Sequence, residues 1–227
     1  MRYFIACIGV LGLLFIVVWA QQTTPPSPPS NDNRRTDTND PAGDPRAAAM
    51  EGLQAFRGLV DDQNFRELGF ESREEVGSAT LGEPIRVFIV RLDRLKEFQD
   101  TSDARAMLTD TRQLIFPVAA GGQTRSSITV ADQDGRWAAA SFGGPNLAKQ
   151  LTAARGNVGG TASVMYVKVP SLNAYFVASE ATDGGELMLT PLNDVPNLQL
   201  RQGARMTAKD AFAALVPAAR AHDGKLS

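Results

Sequence analysis

The sequence predicts an α+β domain, a mainly antiparallel sheet with helices packed on it, and three observations predict it. Apolar, β-branched runs of strand length recur between residues 85 and 192. Tight-turn pairs, Gly121-Gly122 and Asp134-Gly135, join neighbouring runs as hairpins, because both central residues of such turns need positive φ. Hairpin follows hairpin, where strand alternating with helix would indicate a parallel sheet.

In chain order, residues 1–20 read as an export segment. Arg2 supplies the positive start, residues 4–19 are almost continuously apolar, and Val18-Trp19-Ala20 ends on a small residue suited to cleavage before Gln21. The run is also just long enough for a membrane anchor, with Trp19 where an interfacial residue would stand. A cleaved signal and an uncleaved anchor therefore both stay open. A lipid anchor on Cys7 does not fit, since only six residues precede it and the apolar run continues beyond it. Either way residues 21–227 are expected outside the cytoplasm, periplasmic or secreted. Residues 21–43 set Pro25, Pro26, Pro28, Pro29 and Pro41 among Ser, Thr, Asn and Asp, the composition of a solvated tether.

Residues 44–227 form one globular domain with candidate halves 80–156 and 157–222. Asp44 caps a first helix that has Pro45 at its first position, and Ala49, Leu53, Phe56 and Val60 give it one apolar stripe. Phe65, Leu68 and Phe70 continue into a helical turn closed near Gly69, and Ser72 with Glu75 forms a capping box. A strand at 85–92 and a helical turn at 103–108 precede three strands, 112–119, 124–131 and 136–142. Pro117 cannot donate to a ladder, which places its strand at an edge or a bulge. In the third strand Trp137, Ala139 and Ser141 share one face. Gly143-Gly144-Pro145 opens a helix reaching about Arg155. Strands at 162–169, 174–179 and 186–192 follow, with Asp183-Gly184-Gly185 in the last turn. A closing helix is opened by Thr207 and Asp210, buried through Ala211, Phe212 and Leu215, and bent or interrupted at Pro217.

VFIVRLDRLKEF at 87–98 returns at 164–175 as VMYVKVPSLNAY, with Val87, Val90 and Leu95 recurring as Val164, Val167 and Leu172. Either the two β-rich halves are a pseudo-twofold repeat, or two buried strands look alike for want of other ways to be apolar. These paired segments, the VPSLNAYF stretch and the LTP-turn-helix ending resemble the periplasmic and chloroplast intermembrane-space translocon chaperone family. The resemblance covers roughly residues 85–220 and implies a pseudo-twofold α+β fold that handles unfolded or client polypeptides. The hairpin pair at 124–142 departs from it, with no counterpart in the second half, and no residue's role is carried over.

Composition narrows the chemistry. A formal charge of −2 and 7% aromatic residues give no basis for a nucleic-acid partner. The one cysteine, Cys7, lies in the export segment and the one histidine is His222, so a Cys-His dyad and a multi-ligand zinc site are not expected. Ala139-Ala140-Ser141-Phe142-Gly143 is similar to the strand-serine-turn-helix of α/β-hydrolases with alanine for the first glycine, and His222 lies downstream as a base. The competing reading is a plain sheet serine and a histidine at a helix C-terminus. Asp132-Gln133-Asp134-Gly135 reads as a hairpin turn, since its glycine comes too early for a calcium loop. Gly143 and Gly144, ahead of a helix, are candidates for cradling an anion or simply for starting that helix. Arg125, near a hairpin end, is expected to be exposed, either as plain solvated charge or beside an edge that receives a peptide as an extra strand. The expectation is therefore a non-enzymatic exported protein working through protein or peptide binding, without cofactor or metal. The alternatives are a serine hydrolase using Ser141 and His222 and a structural domain held at the membrane by residues 1–20.

Overall fold

The computed structural model describes residues 43–157, 163–180 and 185–223. The expected export segment, the expected tether up to residue 42 and the start of the expected Asp183-Gly184-Gly185 turn lie outside the described residues. Among the described residues no helix is long and apolar enough to cross a membrane.

Helices α1 (Pro45–Leu59) and α2 (Arg73–Gly77) lead into β1 (Thr80–Leu81), β2 (Ile85–Val90) and α3 (Leu92–Lys96). A three-strand meander follows, β3 (Leu108–Ala120), β4 (Gln123–Gln133) and β5 (Arg136–Phe142), then α4 (Pro145–Asn157). The second meander is β6 (Val164–Val169), β7 (Ala174–Glu180), β8 (Leu187–Pro191) and β9 (Met206–Thr207), closed by α5 (Ala208–Ala221). They make one sheet in the order β5-β4-β3-β2-β6-β7-β8-β9, with β1 beside β3. Every pairing is antiparallel except β2 with β6. The chain thus adopts the α+β class that the hairpins announce.

The turns form for the reasons their residues give. Gly121 and Gly122 sit at φ 58° and 75°, and Asp134 and Gly135 at 55° and 89°, so both two-residue hairpins have the backbone that matches strand twist. Asp132 Oδ1 accepts from the Gly135 N–H at 2.7 Å, which fixes the acidic stretch as a turn. Asp44 accepts from the Arg46 N–H and Thr207 from the Asp210 N–H, capping α1 and α5. Glu75 returns its carboxylate to the Glu71 N–H, and not to Ser72, so the box at α2 is only half closed. Pro217 does not interrupt α5, which runs on to Ala221.

Alternation along the strands splits the core between two faces. On one face α1 buries Leu53 and Phe56 against Phe116, Val118, Ile128 and Val130. Beside it, α5 buries Phe212 and Leu215 against Phe88, Val90, Val167, Phe176 and Leu189. The opposite face carries α4, whose Leu151 sits on Ile85, Val87, Ile115, Val164 and Tyr166.

Three expectations need correction. β3 is not an edge: Pro117 pairs with Ser127 of β4 on one side, and on the other its carbonyl accepts from the Gly82 N–H. Its missing N–H falls where the chain leaves β1 and has not yet entered β2, so no ladder bond is lost. Ser141 does not share a face with Trp137 and Ala139. Thr129 pairs with Ser141 while Val130 pairs with Ala139, so Ala140 is an extra residue that turns Ser141 over to the α4 face. The strand expected from 112 begins at Leu108, interrupted by a bulge where Arg112 takes φ 56°. The similar segments at 87 and 164 do lie side by side, β2 parallel to β6. Their meanders differ, with strands of 13 and 11 residues against 7 and 5, and Phe98 is buried beneath α5 whereas its counterpart Tyr175 lies on the α4 face. A duplication is not established by this arrangement.

Candidate functional site

Ser141 and His222 are not brought together. Ser141 is exposed on the α4 face of β5. His222 is the C-terminal cap of α5, on the opposite face, with its carbonyl accepting from Lys96 Nζ at 2.9 Å and its Nδ1 3.8 Å from the Asp223 carboxylate. A hydroxyl and a ring on opposite faces of one sheet cannot exchange a proton, so the hydrolase built on this pair does not assemble.

Arg125 is not exposed. Ser126 pairs with Val118 and Thr124 with Ala119, which makes Arg125 the extra residue of a bulge and aims it out of the strand's regular alternation. Its side chain, 8% exposed, meets Glu75 at 2.8 Å and Glu71 at 2.7 Å. Its Nε and Nη2 are spent on the fold. Gly143 fares the same way as an anion cradle, because its N–H bonds to the Ser127 carbonyl at 3.0 Å and its carbonyl takes both the Ser127 N–H and hydroxyl. Gly144, at φ 70°, offers its carbonyl to the Ala148 N–H and so begins α4. Both glycines are helix-start punctuation in this fold.

Two features missed by the sequence reading stand open instead. The first is the outer edge of β5, along which no described residue pairs. Ala138, Ala139, Ala140 and Ser141 are all exposed there, and the stretch carries neither charge nor proline. Natural edges are normally guarded by such residues. Between this edge and α1 lies a groove of about 570 Å³, with Ala48, Gly52 and Ala55 on the helix side and Trp137, Ala139 and Phe142 on the strand side. The groove exists because the helix comes in close on small residues. A Cβ at Gly52 would stand 3.0 Å from the Ala139 Cβ.

The second feature is a cleft of about 390 Å³ on the α4 face, which runs from Ser141 and Thr129 across Val87 to Tyr166, Lys168 and Tyr175. Tyr166 and Tyr175 stack with centroids 6.4 Å apart and planes 26° apart. Burial, and then the neighbouring Tyr175, push the Tyr166 hydroxyl up to about 12. Below the unfolded value near 10 both states keep the proton and nothing is lost. Between about 10 and 12 the unfolded chain sheds it first, so stability should fall by about 2 kcal/mol as the pH rises through that window. Denaturant unfolding across the alkaline range should show this loss, and Tyr166→Phe should remove it. A tyrosinate absorbance titration in which Tyr166 ionises near about 10, as a free phenol does, would contradict it.

Among the described residues no three His, Cys, Asp or Glu side chains are grouped as metal ligands. No protein-family model, curated protein or solved structure matches this chain.

Proposed function

We propose that this chain is a non-catalytic, exported binding protein that captures an extended polypeptide segment as an added strand along the outer edge of β5. The observation that supports it most is the edge itself: exposed alanines from Ala138 to Ala140 with no charge or proline among them, along a strand whose outer side pairs with no described residue. Strand addition supplies affinity through the main chain, and every second side chain of the guest would enter the groove between β5 and α1. Trp137 and Phe142 give that groove apolar walls, and Glu51 and Arg136 at its rim give a guest's polar positions a partner of either sign. The expected peptide partner from the sequence thus keeps its mode of binding but moves from the Pro117 strand to β5. Export rests on residues 1–20.

Amide hydrogen exchange with a lysine-flanked peptide of alternating valine and threonine tests the reading. Protection is expected in β5, and Ala138→Glu with Ala140→Glu, both at exposed positions, should weaken binding by about tenfold or more without altering the unfolding midpoint. Exchange in β5 that is indifferent to the peptide, or protection that survives the two glutamates, would sink it.

A further inference from the structure

The cleft on the α4 face is chemically unlike the β5 groove, and its polar groups are idle. Tyr166 is only 8% exposed, yet its hydroxyl makes no hydrogen bond with any described residue. The ring is enclosed but the hydroxyl is not: it meets solvent at the cleft that the ring lines, within reach of a ligand. Lys168 is half-buried, stands directly across from Tyr175 in the β6–β7 ladder, and makes no ion pair among the described residues. Among the described residues no acidic side chain lines the cleft, and Lys168 is the charge there that sets its sign. Val87, Ile115 and Leu147 supply an apolar floor beyond that polar end.

We propose that this cleft binds a small carboxylic acid with an apolar body, its carboxylate held by Lys168 and the hydroxyls of Tyr166 and Tyr175, and its body lying over Val87, Ile115 and Leu147. One ammonium and two hydroxyls match a singly charged, two-oxygen head. A phosphate would call for more cationic donors, of the forked kind that arginine supplies. The volume lies within the range of small-ligand sites, and the mix of apolar floor with a few convergent polar groups is theirs as well. The site is independent of strand capture. The β5 groove is walled by Trp137, Ala139 and Phe142, on the face opposite to Ser141 and Tyr166.

Octanoate titrated into the full chain, with octanol as the uncharged body of the same length, tests the assignment by amide and side-chain chemical shifts. Saturable shifts at Tyr166, Lys168 and Val87 are expected with octanoate. Octanol should bind at least about tenfold more weakly, the worth of a charge-assisted hydrogen bond. Lys168→Met should weaken octanoate by about the same factor and leave octanol unchanged. Tyr166→Phe, which deletes a hydroxyl with no partner in the fold, should keep the unfolding midpoint and weaken octanoate by a few-fold. The proposal falls if octanoate gives no saturable shifts, if the Lys168→Met chain binds it as tightly, or if the shifts map to the groove between α1 and β5. Loss of peptide capture through the glutamates in β5 should leave every one of these results in place.

Discussion

Gly69→Ala is expected to be the most damaging single-atom change in the described chain, lowering stability by at least about 3 kcal/mol in urea unfolding. Gly69 ends the turn after α1 at φ 96°, with its N–H on the Arg66 carbonyl and the Phe70 N–H on the Phe65 carbonyl. That pair of bonds is a Schellman closure, which favours glycine because the left-handed conformation crowds any Cβ. Tertiary contact makes the demand absolute. An added Cβ would lie 2.0 Å from the Arg125 carbonyl oxygen and 2.6 Å from the Pro145 Cβ. The first obstacle is backbone at the bulge near the start of β4, fixed between the paired residues Thr124 and Ser126, so it cannot swing aside. Gly122→Ala separates the two contributions. Gly122 has a similar φ, 75°, but open space around it, and its substitution should cost only about 1 kcal/mol. Equal effects at the two glycines would show that the close approach to β4 has no energetic weight.

Arg125→Met should lower the thermal midpoint by roughly 6–12 °C. The guanidinium is almost wholly enclosed and meets two carboxylates of unequal exposure, Glu71 at 74% and Glu75 at 14%. Removing it hardly troubles Glu71, which can turn to water. Glu75 would be left as an uncompensated charge beside an apolar side chain, and its backbone bond to the Glu71 N–H cannot replace the lost partner. Methionine fills comparable volume, so packing contributes little to the loss. Adding Glu75→Gln should restore much of the midpoint, because it removes the charge that the first substitution strands. If the double variant is no more stable than Arg125→Met, the damage comes from packing and the ion pair is incidental. Both experiments probe the same joint, where the turn at Gly69 and helix α2 lock onto the bulge in β4. That joint holds the α1 layer against the strands bordering the proposed groove.

How far the sequence carried the reading depends on the range of the interaction involved. Ala49, Leu53, Phe56 and Val60 are all buried, as their spacing requires, and the hairpins turn at Gly121-Gly122 and Asp134-Gly135 as their dipeptides require. The candidate sites did not survive in the same way. Ser141 was placed by simple alternation, and one extra residue, Ala140, reversed its face. Arg125 read as solvated because its partners Glu71 and Glu75 are some fifty residues away in the chain, joined to it only by a bulge in the ladder. The Ala138-Ala139-Ala140 run without a guarding charge was the signal for an open edge, and it becomes meaningful only once β5 is known to be outermost.

By itself the sequence determined the α+β class, the main helices and strands and the tight turns, because caps, hairpin dipeptides and apolar periods act within a few residues of one another. Only the tertiary structure decided which strand is the edge, which face each bulged side chain joins, and that Tyr166 and Lys168 meet in one cleft while Ser141 and His222 stay apart. Those outcomes depend on strand order and register, which are set by the summed burial of two sheet faces, and one inserted residue shifts them with little change in any local pattern.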